Sequence, residues 1–478
     1  MEGAKAPRVG VIFSALMLTM LMSSLGQMIF VTALPTIVGE LGGVEHMSWV
    51  IAMFMLTMTI AMPLNGKLGD ALGRTWLYLG SIGLFVAGSI FGGLADSMGL
   101  LILARGIQGL GAGGMMVNSQ AIIAEIIPAR QRGKYMGAMG VVFGVSSVLG
   151  PVLGGWFTEG PGWRWALWIN VPFGLAAIAV SAAVLRLRGR SDGPVNFDVL
   201  GAVFMVLATG GIIAATTWKD IVLICAAVVF TTLFVAVEMR AAQPLVPMNL
   251  FANRNMALTT VAGVILGFSM TGVIGYVPTY LQMVHGLTPT QAGLVLVSMV
   301  AGMLLVGVSV GFVISRTGRY KAYPIAGMGM ITLSLVALSR LEASSRLAFL
   351  AACLFCFGVG IGLVMQVLML IVQNSFPVSV VGTATAANNF FRQLGSALGA
   401  SLVGSLFIHN LGEKLAGASI STLTPGAVAG LPPELKAAVA TGYNDALTPV
   451  FALMAPLTLG ALVLLAWVRE DPLKETIS

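Results

Sequence analysis

The sequence predicts an all-α integral membrane protein built from two related halves. First, 57% of its 478 residues are hydrophobic and only 9% are charged, against about 25% charged in soluble domains. Second, apolar runs of about eighteen residues or more alternate with short polar segments. A hydrocarbon core imposes that pattern, because the backbone must satisfy its hydrogen bonds internally. Third, the polar stretch GKLGDALGRT at 66–75 returns in degenerate form as GFVISRTGRY at 311–320, 245 residues later. In the second copy Ser315 replaces Asp70.

Taken in order, the first six apolar spans are 9–38, 47–64, 76–94, 100–127, 135–157 and 163–185. A shorter pair follows at 199–217 and 221–237, then six more at 256–281, 289–314, 322–338, 347–372, 378–407 and 447–468. The expected organisation is an N-terminal six-helix block at 9–190, a linker at 191–240 carrying two extra helices, and a C-terminal six-helix block at 241–478. Placing the N-terminus inside puts seventeen Lys and Arg on the cytoplasmic side and six outside, with Arg105 and Arg392 in spans. That asymmetry orients both termini inward and favours fourteen spans over an odd number. The longest outer segment, 409–445, starts loop-like and ends after Pro432 and Pro433 in a short helix leading into the last span.

Several function classes drop out. The net charge of +7 lies mostly outside the spans and is no nucleic-acid signal, and no G-x-x-x-x-G-K-[ST] loop offers direct ATP drive. Cys353 and Cys356 form a C-x-x-C with no second Cys or His cluster, so they read as ordinary helix residues rather than a metal or redox site. No cofactor or metal is expected. The first apolar run is too long for a signal-peptide core.

Polar and small residues inside the spans are the functional candidates. Gln27 and Thr32 are the polar groups in the deeper part of span one, where Pro35 should break or bend the helix. Arg105, in ARGIQGLGAGG, is an intramembrane arginine; it either serves function or braces helices through backbone carbonyls. Gly106, Gly109 and Gly113 give that helix a small face. In span five Gly144, Gly150, Pro151, Gly154 and Gly155 fit either simple close packing or a seal that stops leakage during transport. The tryptophans of WRWALWINVPFG suit the membrane interface.

Together GKLGDALGRT, ARGIQGLGAGG, GPVLGG and WRWALWINVPFG resemble the major facilitator superfamily. ALPTIVGELGG, YLQMVHGLTPTQAGL and the extra spans make the chain similar to its fourteen-span drug:proton antiporters. The resemblance implies two six-helix bundles around a cavity that opens alternately to each side of the cell membrane. It further implies export of a small amphipathic drug or dye in exchange for protons, by a non-enzyme expected to be monomeric. Gly66, Asp70, Gly73 and Arg74 would belong to a cytoplasmic gate, Arg105 would face the cavity, and the span-five residues would be the antiporter signature. Related exporters of lipids or amphiphilic metabolites, and a non-transporting sensor on the same fold, are the alternatives.

The chain departs from the family at one place. Where relatives often read LDxT, this sequence has Leu25, Gly26, Gln27 and Met28, so the acid is missing. Proton coupling is therefore implied by the resemblance but not located. Gln27, Met28, Asn118, Gln366, Asn388, Asn389 and Arg392 are the further cavity candidates, with Arg392 also readable as a helix-interface residue. The methionines, 28 in all, suit either a plastic cavity or a lipid-facing surface. Glu125 lies about 30 Å along its helix from Arg105, at the same face as Arg74. It is expected to pair with Arg74, or else with Arg130 or Arg132, while Asp70 should reach the N-terminal end of span eleven near Val380.

Overall fold

Long apolar segments leave the backbone no partner but itself, and in the computed structural model they form helices. The structure describes residues 9–42, 46–185, 198–218, 220–414 and 432–473, and among these there is no β-strand. The first helices are α1 (Val9–Leu41), α2 (Met47–Leu72), α3 (Arg74–Gly93), α4 (Met98–Ile126) and α5 (Ala129–Glu159). A short α6 (Trp165–Trp168) leads into α7 (Asn170–Val184). The extra pair is α8 (Val199–Trp218) and α9 (Ile221–Glu238). Then come α10 (Arg254–His285), α11 (Pro289–Thr317), α12 (Ala322–Leu338), α13 (Leu347–Ser375), α14 (Val381–Lys414) and α15 (Pro433–Ala466). Among the described residues eleven helices are long and apolar enough to cross a membrane, and Val199–Ala215 and Ala322–Leu338 are shorter apolar helices.

Several helices outrun the predicted spans. The α1 helix continues through position 35 to Leu41, so Pro35 does not terminate it. The 409–445 segment is helical at both flanks: α14 reaches Lys414 and the predicted short helix is fused with the last span into the 34-residue α15. Pro433 opens that helix, where its missing N–H costs no intrahelical bond. Residues 415–431 lie outside the described part.

The chain divides into two compact units. One comprises Met1–Met256 with Leu370–Phe390 and Leu473–Ser478; the other comprises Ala257–Met369 and Phe391–Pro472. In the first unit α4 is the central packing element. A Cβ on Gly113 would come within 2.9 Å of Ala61 on α2, and one on Gly111 within 2.6 Å of Ser81 O on α3. The glycine-rich run therefore brings α4 against two neighbours, where the sequence pattern suggested one small face. The interfacial role expected of the tryptophans holds for only part of the cluster. Trp165 is exposed and Trp168 half-buried, but Trp163 is 1% exposed within a core of Phe30, Leu34, Val50 and Leu101. Its indole Nε1 donates to Glu40 at 2.8 Å, which makes burial affordable for a polar ring.

In the second unit the hydroxyls of Thr332 and Thr458 join α12 to α15 at 2.8 Å.

Candidate functional site

Each decapeptide copy places a positive-φ glycine at the same point. Gly73 (φ 96°) separates α2 from α3, and its N–H donates to Gly69 O at 3.2 Å. Gly318 (φ 72°) ends α11, its N–H donating to Ile314 O at 2.8 Å. Both conformations lie where a Cβ is strained. The turn at Gly73 starts α3 at Arg74 and folds that side chain back over the end of α2.

Arg74 is 2% exposed and forms ion pairs with both Asp70 and Glu125. Asp70 lies one turn earlier on α2, and Glu125 in the last turn of α4. The second Asp70 oxygen, Oδ2, accepts from Thr383 N at 2.8 Å and Thr383 Oγ1 at 2.7 Å. Thr383 lies in the first turn of α14, where unpaired N–H groups and the helix dipole favour an anion. The expected landing point near Val380 is thus reached three residues further on. Gly382 has no side chain because a Cβ would collide with both Asp70 and the Arg74 guanidinium, and Gly66 because one would meet Gly382 O at 2.9 Å.

A polar layer lies beside this cluster. Asn118 on α4 donates to Asn65 Oδ1 at 3.2 Å. Asn389 donates to Gln120 Oε1 at 2.6 Å, and Gln373 reaches Gln120 O at 3.3 Å. Arg132 does not pair with Glu125. Its guanidinium instead donates to Ala124 O at 2.6 Å and Ile127 O at 2.8 Å at the end of α4, and to Gln373 O at 3.5 Å. Burial lowers Arg132 to about 10, which leaves it charged at neutral pH and well placed for the negative end of α4.

The second copy solves its charge problem differently. Ser315 bonds its own helix, at Phe312 O (2.8 Å). The anion comes from far along the chain: Glu470 Oε1 accepts from Tyr320 N at 2.7 Å and Lys321 N at 3.1 Å at the start of α12. Tyr320 OH also accepts from Asp471 N at 2.7 Å.

Arg105 is fully buried, and its guanidinium is sandwiched 4.1 Å from the ring centres of both Phe30 and Phe54. It donates to Gly26 O at 3.0 Å, to Val50 O at 3.4 Å and to Gln108 Oε1. This is the bracing geometry, tying α1, α2 and α4 together. Position 26 borders the same network. A Cβ there would lie 3.2 Å from Phe85 and 3.8 Å from Gln108 Nε2.

The other candidates scatter. Gln27 and Met28 are half-buried, and Met28 fills the space left by the missing side chain of Gly150. Gly144 and Gly154 are buried, whereas a Cβ on Gly155 would meet open space. The side chains of Thr32 and Pro151 are outside the described part. Asn388 is buried; Gln366 and Arg392 are half-buried in the second unit, where the Arg392 carbonyl oxygen closes on Gly267. Sequence reasoning missed Gly382, Thr383, Gln120, Gln373 and Glu470. The run VGTATAANN, rich in small and polar residues within an apolar chain, was the available signal for two of them.

These features can be placed in a family. The sequence profile described as Major Facilitator Superfamily matches residues 16–400. The chain belongs to the major facilitator superfamily. It is 38% identical to an uncharacterized MFS-type transporter of Mycobacterium tuberculosis, over 98% of this chain and 70% of that protein. It is 30% identical to multidrug transporter protein MdtP of Bacillus subtilis, over 94% of this chain and 85% of the relative. The human organic anion transporter MFSD10 shares the fold, with a TM-score of 0.66 at 15% identity, covering 96% of this chain and 100% of that one. As a member of the superfamily, the chain is a multi-pass membrane transporter of small molecules and not an enzyme.

Proposed function

We propose that the protein is a secondary active exporter of amphipathic drugs or dyes across the cell membrane, working by alternating access in exchange for protons. The observation that carries this reading is the Asp70–Arg74–Glu125 cluster closed onto Thr383. Its ion-paired side chains and a helix N-terminus are packed together, so separating them is costly and remaking them is favourable, as a gate requires. Relatives named as multidrug proteins in Bacillus subtilis support the substrate class.

In this reading both termini are cytoplasmic, the chain makes fourteen spans and acts as a monomer. Residues 9–190 and 241–478 form the two bundles, and 191–240 contributes the added pair. Gly66, Asp70, Gly73, Arg74 and Glu125 form the cytoplasmic gate. Arg105 holds the outer part of the first bundle, and Gly150 keeps α1 against α5. Without an acid at position 26, monovalent or neutral substrates are preferred over dications, since an uncompensated divalent charge is heavily penalised in an apolar site.

The test is uptake by inverted membrane vesicles, with and without an imposed proton gradient, over a panel of dyes, drugs and lipids. Gradient-dependent uptake of amphipathic dyes is expected. Uptake of lipids alone would replace this reading with export of amphiphilic lipids.

A further inference from the structure

The two extra helices meet at a pair of acids, Asp198 half-buried and Glu238 buried. Asp198 precedes α8 and caps it: Oδ1 accepts from Gly201 N at 2.7 Å. Glu238 closes α9 and is 2% exposed; its Oε2 accepts from Val246 N at 2.9 Å. Each carboxylate thus commits one oxygen to a backbone N–H. The remaining two, Asp198 Oδ2 and Glu238 Oε1, are buried with no hydrogen-bond partner among the described residues. Both border one small space above Gly201, where a Cβ would lie 2.6 Å from Glu238 Oε1 and also collide with Asp198 Oδ2. Among the described residues, the side-chain cation that acts on Glu238 is Lys67 of α2, within electrostatic reach but not hydrogen-bonded to it; Arg240 is exposed.

Two buried anionic oxygens bordering one small space without a donor are unfavourable twice over, by like-charge repulsion and by lost solvation. One proton removes both costs, because it makes one group the donor and leaves the other as acceptor. A short O–H···O⁻ bond then satisfies both oxygens at once. We propose that Asp198 and Glu238 form a one-proton binding site that clasps the α8–α9 hairpin at its open end. The site lies within the first unit and does not depend on whether protons are exchanged for substrate. Deprotonation sets two negative charges against each other where α8 starts and α9 ends, so the hairpin loosens as pH rises.

The test is infrared spectroscopy of the full-length protein in lipid, read at the protonated-carboxyl stretch across a pH titration. Asp198→Asn and Glu238→Gln are suited to it, since asparagine caps helices well and glutamine keeps the bond to Val246. The wild type should show a protonated-carboxyl band at neutral pH, lost on alkalinisation, and each variant should lack it. A wild type without the band at neutral pH overturns the proposal. So does a band that survives both substitutions, and a band lost in only one variant assigns a lone acid and overturns sharing.

Discussion

Asp70 and Thr383 should be energetically coupled, and the contact geometry sets the size of the coupling. Asp70 Oδ2 accepts two bonds from Thr383, at 2.8 Å from the backbone and 2.7 Å from the hydroxyl. A hydrogen bond to an ionised group is worth about 1.5–3 kcal/mol, against about 0.5–1.5 kcal/mol when both partners are neutral. Thr383→Ala removes only the hydroxyl bond and should destabilise by about 2 kcal/mol in the wild type. In an Asp70→Asn background that hydroxyl faces a neutral amide, and the same change should cost about 1 kcal/mol. The expected coupling is therefore about 1 kcal/mol, well above the scatter of independent sites. Urea unfolding of the four proteins in detergent, followed by tryptophan fluorescence, measures it. Coupling below about 0.3 kcal/mol would show that the contact contributes nothing specific.

Three further outcomes follow from the same structure. Arg105→Ala should lower both stability and transport, whereas Arg105→Lys should fold but recover only part of the activity, because an ammonium cannot span Gly26 O, Val50 O and Gln108 between two rings; thermal unfolding and dye efflux measured together check this. Glu470→Gln should lower the melting temperature by a few degrees, since a neutral amide still accepts from Tyr320 and Lys321 but loses the favourable charge at the start of α12. Hydrogen bonds from Arg164 and then Trp163 hold Glu40 below its ordinary 4.5. A depressed carboxylate contributes stability above its unfolded value and loses it as pH falls through the folded one. The stability difference between wild type and Glu40→Gln should accordingly be present at neutral pH and vanish on acidification, as reported by tryptophan fluorescence.

The fold was legible because burial in lipid writes itself into composition and run length. The paired decapeptides showed the repeat, and the positive-φ glycines at 73 and 318 occupy equivalent places in it. The Arg74–Glu125 pair was also within reach, since a carboxylate and a guanidinium at one face of the same block have few other partners. What stayed hidden depends on contacts distant in sequence. Nothing near Ser315 announces that Glu470, 150 residues beyond Tyr320, supplies the missing anion. Arg132 reads as one cation of a basic run, yet it is turned inward onto the end of α4. Trp163 looks like its neighbours in WRWALW, and only the position of Glu40 separates its buried indole from the exposed one of Trp165. Gly382 resembles any membrane glycine until the ion cluster beneath it is seen.

The most direct test of the gate is a charge exchange at its centre, read by dye transport into inverted vesicles with expression and folding checked in parallel. Arg74→Glu and Glu125→Arg each place like charges together and should reduce transport at least tenfold. Combined, they restore an opposite-charge pair beside Asp70 and should recover part of the rate. Transport that stays absent in the folded double variant, or that is unaffected in either single one, would contradict the account.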